Sequence, residues 1–339
     1  MRRVLVTGGA GFIGSHFVRL LLNEGHFVVC YDKLTYSGNL LNLKDVEDRE
    51  DYIFLKGDIK NTELVSETVK KYSIDAIVNF AAETHVDRSI LNPEPFYGTN
   101  IEGTLSLLKV AKEYGIRLVQ VSTDEVYGPI TEGMADENFP LNPTSPYAAS
   151  KAAADLLALS YYKTFGVDVV ITRSSNNFGP NQYPEKFIPV IIMSLMEKRK
   201  IPVYGNGRQK RDWIYVKDNV MGIREVLFSG KSGEIYNIGG GNELENIELV
   251  KKIIGIYEQI KGEKGLESLI AFVKDRPAHD VRYALSTEKI ERELYFRPAY
   301  KFETALRETV KWYLENTDWL NSVKTRDFEE YYRENYEKR

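Results

Sequence analysis

The sequence contains few of the residues that mark secreted, membrane-bound or metal-binding proteins. Its one cysteine, Cys30, excludes a disulfide within the chain and favours a reducing compartment. No apolar run approaches the roughly 20 residues that a membrane span needs, and no signal sequence precedes the first predicted strand. The four histidines have no ligand spacing. We therefore expect a cytoplasmic protein that binds neither a membrane nor a metal.

An excess of one charge is also absent. The chain of 339 residues has 45 Lys and Arg against 49 Asp and Glu, a net charge of −4, and no stripe of basic residues. A nucleic-acid partner is therefore not expected. The apolar content of 43% and the charged content of 28% are ordinary for a globular protein. The length suits one large domain or two moderate ones.

Apolar strands alternate with helical segments through the first half of the chain. The predicted strands are RRVLVTG, HFVVCYD, YIFLKGD, DAIVNFAA and RLVQVST. Helical segments such as FIGSHFVRLLLNEG and NTELVSETVKKY separate them. Strands that are apolar on both faces belong to a parallel sheet covered by helices on both sides. The sequence therefore predicts an α/β protein with a doubly wound parallel sheet of the Rossmann type.

The alternation becomes less regular after about residue 180, which predicts a second, smaller lobe of mixed α/β structure. The first domain covers residues 1–180 with a return segment at 214–243, and the smaller lobe covers 181–213 and 244–339. In the tail, four aromatic residues at helical spacing predict a helix packed on the body of the protein: Phe328, Tyr331, Tyr332 and Tyr336.

The stretch TGGAGFIG lies between the first predicted strand and a helix. Gly8, Gly11 and Gly14 allow a tight turn and a close approach of a pyrophosphate to the helix N-terminus. Asp32 ends the second strand, where it can bind an adenosine ribose and repel a 2′-phosphate. This context favours NAD over NADP, a preference that Lys33 weakens slightly, and makes the first domain an NAD-binding domain. A purely structural glycine turn is the alternative.

Two further strand ends are candidate cofactor contacts. Asp58 follows the third strand, where it can reach the adenine amine, cap the next helix, or do both. Ala81 and Ala82 end the fourth strand, at the edge where ligands bind to open α/β sheets, and their small side chains let a cofactor approach.

The segment TSPYAASKAAADLLALSYYKTFG predicts a helix that Ser145 caps and Gly166 ends. Tyr147 and Lys151 lie one turn apart on it, and Thr123 ends a preceding strand. A tyrosine has a pKa of about 10, too high for a base at neutral pH, but a nearby ammonium and a nicotinamide cation lower it. The spacing thus indicates catalysis beside NAD, although alone it would suit a surface pair.

In the stretch VSTDEVYG, two acids, Asp124 and Glu125, directly follow the strand that Thr123 ends. Adjacent side chains at a strand end normally diverge. Both acids can reach one ligand only if the strand is already breaking into a loop. A solvated loop edge with one helix cap is the alternative.

These motifs resemble the extended short-chain dehydrogenase/reductase superfamily. Six longer motifs together resemble its dTDP-glucose 4,6-dehydratase family: DKLTYSGN, AAETHVDRS, STDEVYG, RSSNNFGPNQYPEKFIP, PVYGNGRQKRDW and DRPAHDVRYA. The resemblance spans nearly the whole chain. It implies an NAD-dependent hydro-lyase of deoxysugar biosynthesis that converts dTDP-glucose to dTDP-4-keto-6-deoxyglucose.

The resemblance also implies roles for five residues. Tyr147 takes the proton of the sugar 4-hydroxyl, Thr123 hydrogen-bonds that hydroxyl, and Lys151 binds the nicotinamide ribose. Glu125 removes the C5 proton, and Asp124 protonates the departing 6-hydroxyl.

The predicted contacts of each ligand form two sets. The cofactor contacts are Gly8, Gly11, Phe12, Ile13, Gly14, Asp32, Lys33, Leu34, Thr35, Asp58, Ile59, Phe80, Ala81, Ala82, Thr99, Tyr147, Lys151 and Asn177. The substrate contacts are Thr84, Thr123, Asn176, Lys186, Phe187, Pro202, Val203, Tyr204, Arg211, Asn246, Asp275, Arg276 and His279.

Several of the substrate contacts have an alternative interpretation. Arg211 suits a diphosphate, or a solvated basic turn. Tyr204 suits a nucleotide base or the core, and Asn246 suits a ligand contact or the cap of the helix after it. His279 belongs to a binding loop rather than to a metal site, and Ala278 stands where the family usually has glycine.

Three other functions remain open at this point. A UDP-hexose 4,6-dehydratase would share most of the motifs, and a UDP-hexose 4-epimerase would lack the adjacent acids. A non-catalytic NAD-binding sensor or scaffold would not need Tyr147, Lys151, Asp124 and Glu125 together. The superfamily resemblance also implies a homodimer formed by the helices after Asn100 and after Ser145.

Overall fold

A computed structural model describes residues 1–324. The predicted helix of the aromatic tail lies outside the described residues. Within them, no helix combines the length and the apolar character that crossing a membrane requires.

The described chain alternates strands and helices throughout. The strands are β1 (Arg3–Thr7), β2 (Phe27–Asp32), β3 (Tyr52–Lys56), β4 (Ala76–Asn79), β5 (Arg117–Thr123), β6 (Val169–Ser174), β7 (Asn176–Phe178), β8 (Ile201–Tyr204), β9 (Lys210–Tyr215), β10 (Ile235–Ile238), β11 (Glu243–Glu245) and β12 (Ile270–Val273). The helices are α1 (Phe12–Asn23), α2 (Thr62–Tyr72), α3 (Val86–Leu91), α4 (Glu94–Phe96), α5 (Thr104–Tyr114), α6 (Pro146–Phe165), α7 (Phe187–Met196), α8 (Val216–Ser229), α9 (Asn246–Lys261), α10 (Glu288–Leu294), α11 (Phe302–Glu315) and α12 (Thr317–Val323).

Seven strands form a parallel sheet in the order β10-β6-β5-β4-β1-β2-β3. The order reverses at β1, so β1 and β4 flank the switch point at which doubly wound sheets bind their ligands. The predicted α/β fold class with a doubly wound parallel sheet is confirmed. The carboxyl ends of β1, β2, β4, β5 and β6 meet at one edge, and the candidate site lies there.

Alternate side chains of the sheet enter two separate cores. Val4 and Val28 pack with Phe17 of α1 on one face. Leu5 and Val29 pack on the other face, against α2 and α5. Because successive strand residues point to opposite sides, a sheet buried on both faces needs continuous apolar strands.

The chain also forms two short sheets. One has the order β11-β9-β7, with β9 antiparallel to β11 and parallel to β7, and the other pairs β8 with β12 in parallel. Helix α8 and strand β10 return to the large sheet, where β10 pairs with β6. The smaller lobe is thus discontinuous in sequence, with elements on either side of this return segment.

Two cap interpretations that the sequence analysis left open are wrong. Asn246 is the first residue of α9, and Glu245 caps that helix through a reciprocal pair of hydrogen bonds with Glu248. Asn61, rather than Asp58, caps α2, because its side chain accepts a hydrogen bond from the Leu64 amide. In both places a nearer side chain satisfies the free amides of the first turn.

The segment after α4 is also not the regular helix that the sequence predicts. Tyr97–Gly103 forms a π-helix, and α5 begins only at Thr104. Within the wide turn, the Asn100 amide donates to the Glu83 carbonyl (3.0 Å) and to the Ser150 hydroxyl (2.8 Å). These tertiary hydrogen bonds stabilise an insertion that local helix propensity does not encode.

A buried ion pair fixes α6 to the sheet. Asp155 Oδ2 accepts from Arg173 Nε at 2.9 Å, and neither side chain is more than 2% exposed. The Arg173 guanidinium also lies 4.8 Å from the ring of Tyr127, whose hydroxyl donates to Asn237. Helix α6, strand β6 and the turn that contains Tyr127 therefore share one polar cluster.

Asp155→Asn should lower the free energy of unfolding by about 3–5 kcal/mol, because it leaves the Arg173 charge buried without a counter-charge. Urea denaturation measures this loss. The matched control is Asp168→Asn, which breaks the ion pair with Arg117 at a side chain that is 40% exposed. That variant should lose no more than about 1 kcal/mol. Equal losses in the two variants would contradict the assignment of stability to the buried pair.

Candidate active site

A cleft runs along the carboxyl edge of the large sheet. Seventeen of the eighteen predicted cofactor contacts line it, and the exception, Leu34, packs its side chain against the core. Of the predicted substrate contacts, Thr84, Thr123, Asn176 and Lys186 line the same cleft. The other nine lie in the smaller lobe, beyond the lining of the cleft.

The glycine turn forms one end of the cleft. Gly8 has φ +66°, and a Cβ there would lie 2.5 Å from the Ala81 nitrogen. A Cβ on Gly14 would lie 2.3 Å from the Gly8 carbonyl oxygen, whereas one on Gly11 would meet only that oxygen, at 3.2 Å. Glycine is thus required for packing at Gly8 and Gly14, and the space over Gly11 stays open. The first amides of α1, which lack partners within the helix, adjoin this space and suit a pyrophosphate.

Asp32 ends β2 beside this turn. Its Oδ2 accepts from the Ala10 amide at 3.0 Å and its Oδ1 from the Leu34 amide at 2.7 Å. Burial raises the pKa of Asp32, and the two amide hydrogen bonds oppose the rise. Lys33 turns away and pairs with Asp58 at 2.8 Å. The carboxylate therefore lines the cleft, and its two hydrogen bonds come from backbone amides.

Helix α6 places Tyr147 and Lys151 against the middle of the cleft. The Ser145 side chain caps the helix by accepting from the Ala148 amide at 3.1 Å, as the sequence predicts. Lys151 donates to the Val121 carbonyl at 2.6 Å, and burial lowers its pKa to about 8 while Asp155 opposes that shift. Tyr147 and Lys151 are 8% and 4% exposed, so neither is a surface residue.

The pKa of Tyr147 is raised, chiefly because the phenol is buried and also because Glu125 lies near it. A hydrogen bond with Thr123 acts in the opposite direction. Burial dominates this pKa in the protein alone. The lowering that the sequence analysis expects from Lys151 together with a nicotinamide cation stays a prediction. A cationic group in the cleft would supply the attraction that phenolate formation needs.

The two adjacent acids lie at the end of β5, where the strand gives way to a 3-10 helix over Asp124–Tyr127. The Thr123 hydroxyl donates to Asp124 Oδ1 at 3.2 Å and accepts from the Glu125 amide at 3.3 Å. This abrupt change of backbone direction lets both carboxyl groups line one cleft.

The environment separates the ionisation of the two acids. Burial, and then the charge of Glu125, raise the pKa of Asp124 to about 8. Burial also raises the pKa of Glu125, but three cations, Arg276, Arg211 and Lys186, oppose that rise. Asp124 is therefore an acid at neutral pH, and Glu125 is the group favoured as carboxylate.

Basic residues continue beyond Glu125 toward the smaller lobe. Lys186 donates to the Thr84 carbonyl at 2.9 Å, and Arg276 lies 3.3 Å from Asp87 Oδ1. The Arg211 guanidinium donates to the Asp280 carbonyl and lies 4.3 Å from the ring of Tyr283. Arg211 is only 5% exposed, so it is not part of a solvated turn. Three cations in this position suit a diphosphate.

The remaining predicted substrate contacts also lie in the smaller lobe. Tyr204 donates to Asp87 Oδ2 at 3.2 Å and stacks edge-on against His279. His279 Nδ1 lies 2.6 Å from Asp275 Oδ1, yet burial lowers its pKa to about 4, so the ring is neutral. The other four contacts belong to three elements: Phe187 begins α7, Pro202 and Val203 lie buried in β8, and Asn246 begins α9.

Several cleft residues escaped prediction although they lie inside motifs that were recognised. The Tyr36 hydroxyl donates to Glu185 Oε1 at 2.9 Å, and Arg88 binds Glu185 Oε2 at 2.8 Å. The Glu185 side chain is 1% exposed. A buried carboxylate needs a cation. The place of Glu185 next to Lys186 in the sequence was therefore the signal that could have identified it as a cleft residue.

The cleft residues suit a polar ligand of nucleotide size. In the described part of the chain, six buried side-chain atoms of the cleft lack a hydrogen-bond partner: Ser122 Oγ, Asp124 Oδ2, Ser175 Oγ, Asn176 Oδ1, Asn177 Oδ1 and Gln182 Oε1. A buried polar atom without a partner costs about 1–3 kcal/mol, which a ligand hydrogen bond would remove. Residues 1–324 contain no group of three His, Cys, Asp or Glu side chains arranged to hold a metal ion.

Known proteins match this chain along nearly its whole length. The family model described as GDP-mannose 4,6 dehydratase matches residues 5–309. A dTDP-glucose 4,6-dehydratase of Streptomyces niveus is 49% identical over 96% of each chain. The crystal structure of a dTDP-glucose 4,6-dehydratase from Bacillus anthracis in complex with NAD has 47% identity and a TM-score of 0.88, covering 96% of this chain and 100% of that one. A dTDP-glucose 4,6-dehydratase from Streptomyces venezuelae, with NAD and dTDP bound, has 48% identity and a TM-score of 0.90, covering 95% and 100%.

The different environments of Asp124 and Glu125 predict a titration of the Asp124 carboxyl group. Because its pKa is about 8, the carboxyl should be protonated at neutral pH and should ionise as the pH rises through that value. Infrared difference spectroscopy should show a protonated-carboxyl band that disappears over this range and is missing in Asp124→Asn. In Glu125→Gln the transition should move to lower pH, because the neighbouring negative charge is gone. An unchanged transition in that variant would contradict the coupling between the acids.

Proposed function

Since the chain belongs to the dTDP-glucose 4,6-dehydratase family, we propose that Tyr147, Glu125 and Asp124 divide the proton transfers of that reaction among themselves. The protein is an NAD-dependent hydro-lyase that converts dTDP-glucose to dTDP-4-keto-6-deoxyglucose. The observation that supports the division is the buried acid pair at the end of β5, which lies in one cleft with Tyr147.

The first half of the reaction oxidises C4 of the sugar. When bound, NAD supplies a reversible hydride acceptor, which takes the C4 hydride and later returns it to C6. Tyr147 accepts the proton of the 4-hydroxyl, and Thr123, which hydrogen-bonds Tyr147, orients that hydroxyl. Lys151 holds the nicotinamide ribose and contributes positive charge near the phenol.

The second half eliminates water across C5 and C6. The 4-ketone makes the C5 proton acidic, and the Glu125 carboxylate removes it. Asp124, protonated at neutral pH, donates its proton to the 6-hydroxyl, which leaves as water. The C6 carbon of the resulting enone accepts the hydride, and C5 regains a proton, so the whole reaction is redox-neutral.

The two sides of the cleft hold the two ligands in this proposal. Residues 1–180 with the return segment 214–243 bind NAD, and residues 181–213 with 244–339 bind the nucleotide sugar. Lys186, Arg211 and Arg276 neutralise the diphosphate. Their position beyond Glu125 directs the glucose ring toward the acids.

The alternative functions fit the cleft less well. A 4-epimerase removes no water and has no use for a protonated Asp124 beside an ionised Glu125. A scaffold or sensor would not need to bury two acids, a phenol and an amine together, because each carries a desolvation cost. A uracil-specific dehydratase is disfavoured because the matched relatives act on dTDP-glucose.

The cellular setting and the oligomeric state are proposals as well. A single buried cysteine fits a reducing compartment, so we place the protein in the cytoplasm. We propose a homodimer in which α5 and α6 of two subunits pack together. Apolar side chains on α6 are unusually exposed: Leu156 is 57%, Tyr162 38% and Phe165 50% exposed. Burying such a surface is a strong reason for association.

The dimer can be tested with a charge placed on α6. Leu156→Glu should shift the protein toward monomer in sedimentation velocity at low concentration, because a carboxylate would be buried in the interface. The control is Tyr295→Glu, at a side chain that is 90% exposed on another helix end. A wild-type protein that is monomeric at these concentrations would exclude the dimer.

Glu125→Gln tests the division of labour. The amide cannot accept the C5 proton, so C4 oxidation should proceed while elimination stops. Reduced cofactor should accumulate after mixing with dTDP-glucose, seen as near-ultraviolet absorbance, and product formation should fall by about 10²–10⁴-fold. Tyr147→Phe is the matched control, because it should bind NAD but reduce none of it.

Asp124→Asn distinguishes the acid from the base. In that variant, C5 proton exchange with deuterated solvent should persist while loss of water slows. Near wild-type turnover in Glu125→Gln, or no cofactor reduction despite bound substrate, would remove Glu125 from the C5 position.

A further inference from the structure

Asn42 is a buried polar junction between three distant segments of the chain. Its side chain is 1% exposed within the described structure. Its Nδ2 donates to the Ala10 carbonyl at 2.9 Å, and its Oδ1 accepts from Trp319 Nε1 at 2.6 Å and from Asn181 Nδ2 at 3.2 Å. All three partners are more than 30 residues away in sequence.

The first partner belongs to the glycine turn. Ala10 lies between Gly8 and Gly11, and its amide donates to Asp32. Its carbonyl accepts from the Asn39 amide at 3.0 Å as well as from Asn42. The loop of residues 33–43 is thus tied to the back of the turn that faces a pyrophosphate. Thr35, Ser37 and Gly38 of that loop line the cleft.

The second partner belongs to the opposite wall of the cleft. Asn181 precedes Gln182 and Tyr183, which line the cleft, and it has a left-handed φ of +65°. Tyr36 of the loop also stacks edge-on against Tyr183, with ring centroids 5.4 Å apart. Asn42 therefore connects the loop that borders the cofactor side to the segment that leads into the substrate side.

The third partner belongs to the C-terminal helix α12. Trp319 is 7% exposed and packs edge-on against Trp312 and Tyr313. From the same helix, the Ser322 hydroxyl accepts from Asn39 Nδ2 at 3.2 Å, and the Val323 carbonyl accepts from the Tyr183 hydroxyl at 3.4 Å. Helix α12 thus contacts the loop and the opposite wall at once.

We propose that Asn42 and Trp319 are positioning residues that keep NAD from leaving the cleft during a turnover. This inference rests on the proposed function, because only a redox-neutral reaction requires the hydride acceptor of the first step to remain for the last. Release of a dinucleotide requires the loop of residues 33–43 to move away from the opposite wall. The Asn42 hydrogen bonds oppose that movement, and the indole N–H from α12 holds the Asn42 side chain in the orientation that makes them.

Trp319→Phe tests the proposal directly. The substitution removes the N–H and keeps an aromatic ring among Trp312 and Tyr313. Exchange of bound NAD for excess deuterium-labelled NAD, followed by rapid desalting and mass spectrometry, should become about 2- to 10-fold faster, the effect of one lost hydrogen bond. The Michaelis constant for dTDP-glucose should not change, because Trp319 is outside the lining of the cleft.

Trp312→Phe is the matched control, since it changes the same kind of residue in the same aromatic cluster without a hydrogen bond to Asn42 in the described structure. It should leave NAD exchange unchanged. In an Asn42→Ala background, Trp319→Phe should add nothing to the exchange rate, because the acceptor is already gone. If Trp319→Phe does not fold, Ser322→Ala replaces it, with an expected acceleration of about twofold.

Unchanged exchange in Trp319→Phe, equal acceleration in both Trp→Phe variants, or full additivity with Asn42→Ala would each overturn the proposal. If one of these results is obtained but the wild-type protein still binds NAD and dehydrates dTDP-glucose, only the further inference fails and the proposed function stands. Wild-type protein that neither holds NAD nor releases water would contradict the proposed function itself.

Discussion

Two carboxyl groups on adjacent residues share one buried site, and their mutual repulsion organises the rest of the cleft. Asp124 and Glu125 cannot both be ionised at low cost in a site from which water is largely excluded. Arg211, Arg276 and Lys186 favour the charge on Glu125, which leaves the proton on Asp124. The same three cations are suited to a diphosphate. A single group of positive charges thus serves both to bind the substrate and to assign acid and base.

Burial also constrains the ionisation of Tyr147 and Lys151, the two residues proposed to act in the oxidation step. Tyr147 is buried near the negative charge of Glu125, so its phenolate is unfavourable in the protein alone. Burial lowers the pKa of Lys151 to about 8, and Asp155 opposes that shift. Asp155 also holds Arg173, whose guanidinium reaches the turn that contains the acids. The groups for oxidation and for elimination are therefore positioned by one buried network, which suits a reaction in which both act on one sugar.

Residue patterns were sufficient wherever local chemistry decides the structure. Continuous apolar strands predicted the parallel sheet, and Ser145 and Gly166 correctly bounded α6. Predictions were wrong where several side chains compete for the same role. Glu245 displaced Asn246 as a cap, and Asn61 displaced Asp58. The π-helix before α5 depends on hydrogen bonds from Asn100 to Glu83 and Ser150, which are 17 and 50 residues away.

The sequence by itself determined the chemistry of this protein: the glycine turn, Asp32, the Tyr147–Lys151 spacing and the adjacent acids are local patterns whose physical requirements can be recognised residue by residue. Only the tertiary structure decided the electrostatic environment of the two acids, because the cations that favour the Glu125 carboxylate, Lys186, Arg211 and Arg276, lie far away in the chain. It also decided that Glu185, which lines the cleft, binds Tyr36 and Arg88, and that Asn42 connects the glycine turn to Trp319. Electrostatic and hydrogen-bond energies depend on distance and burial in space, and residue order along the chain does not specify either one.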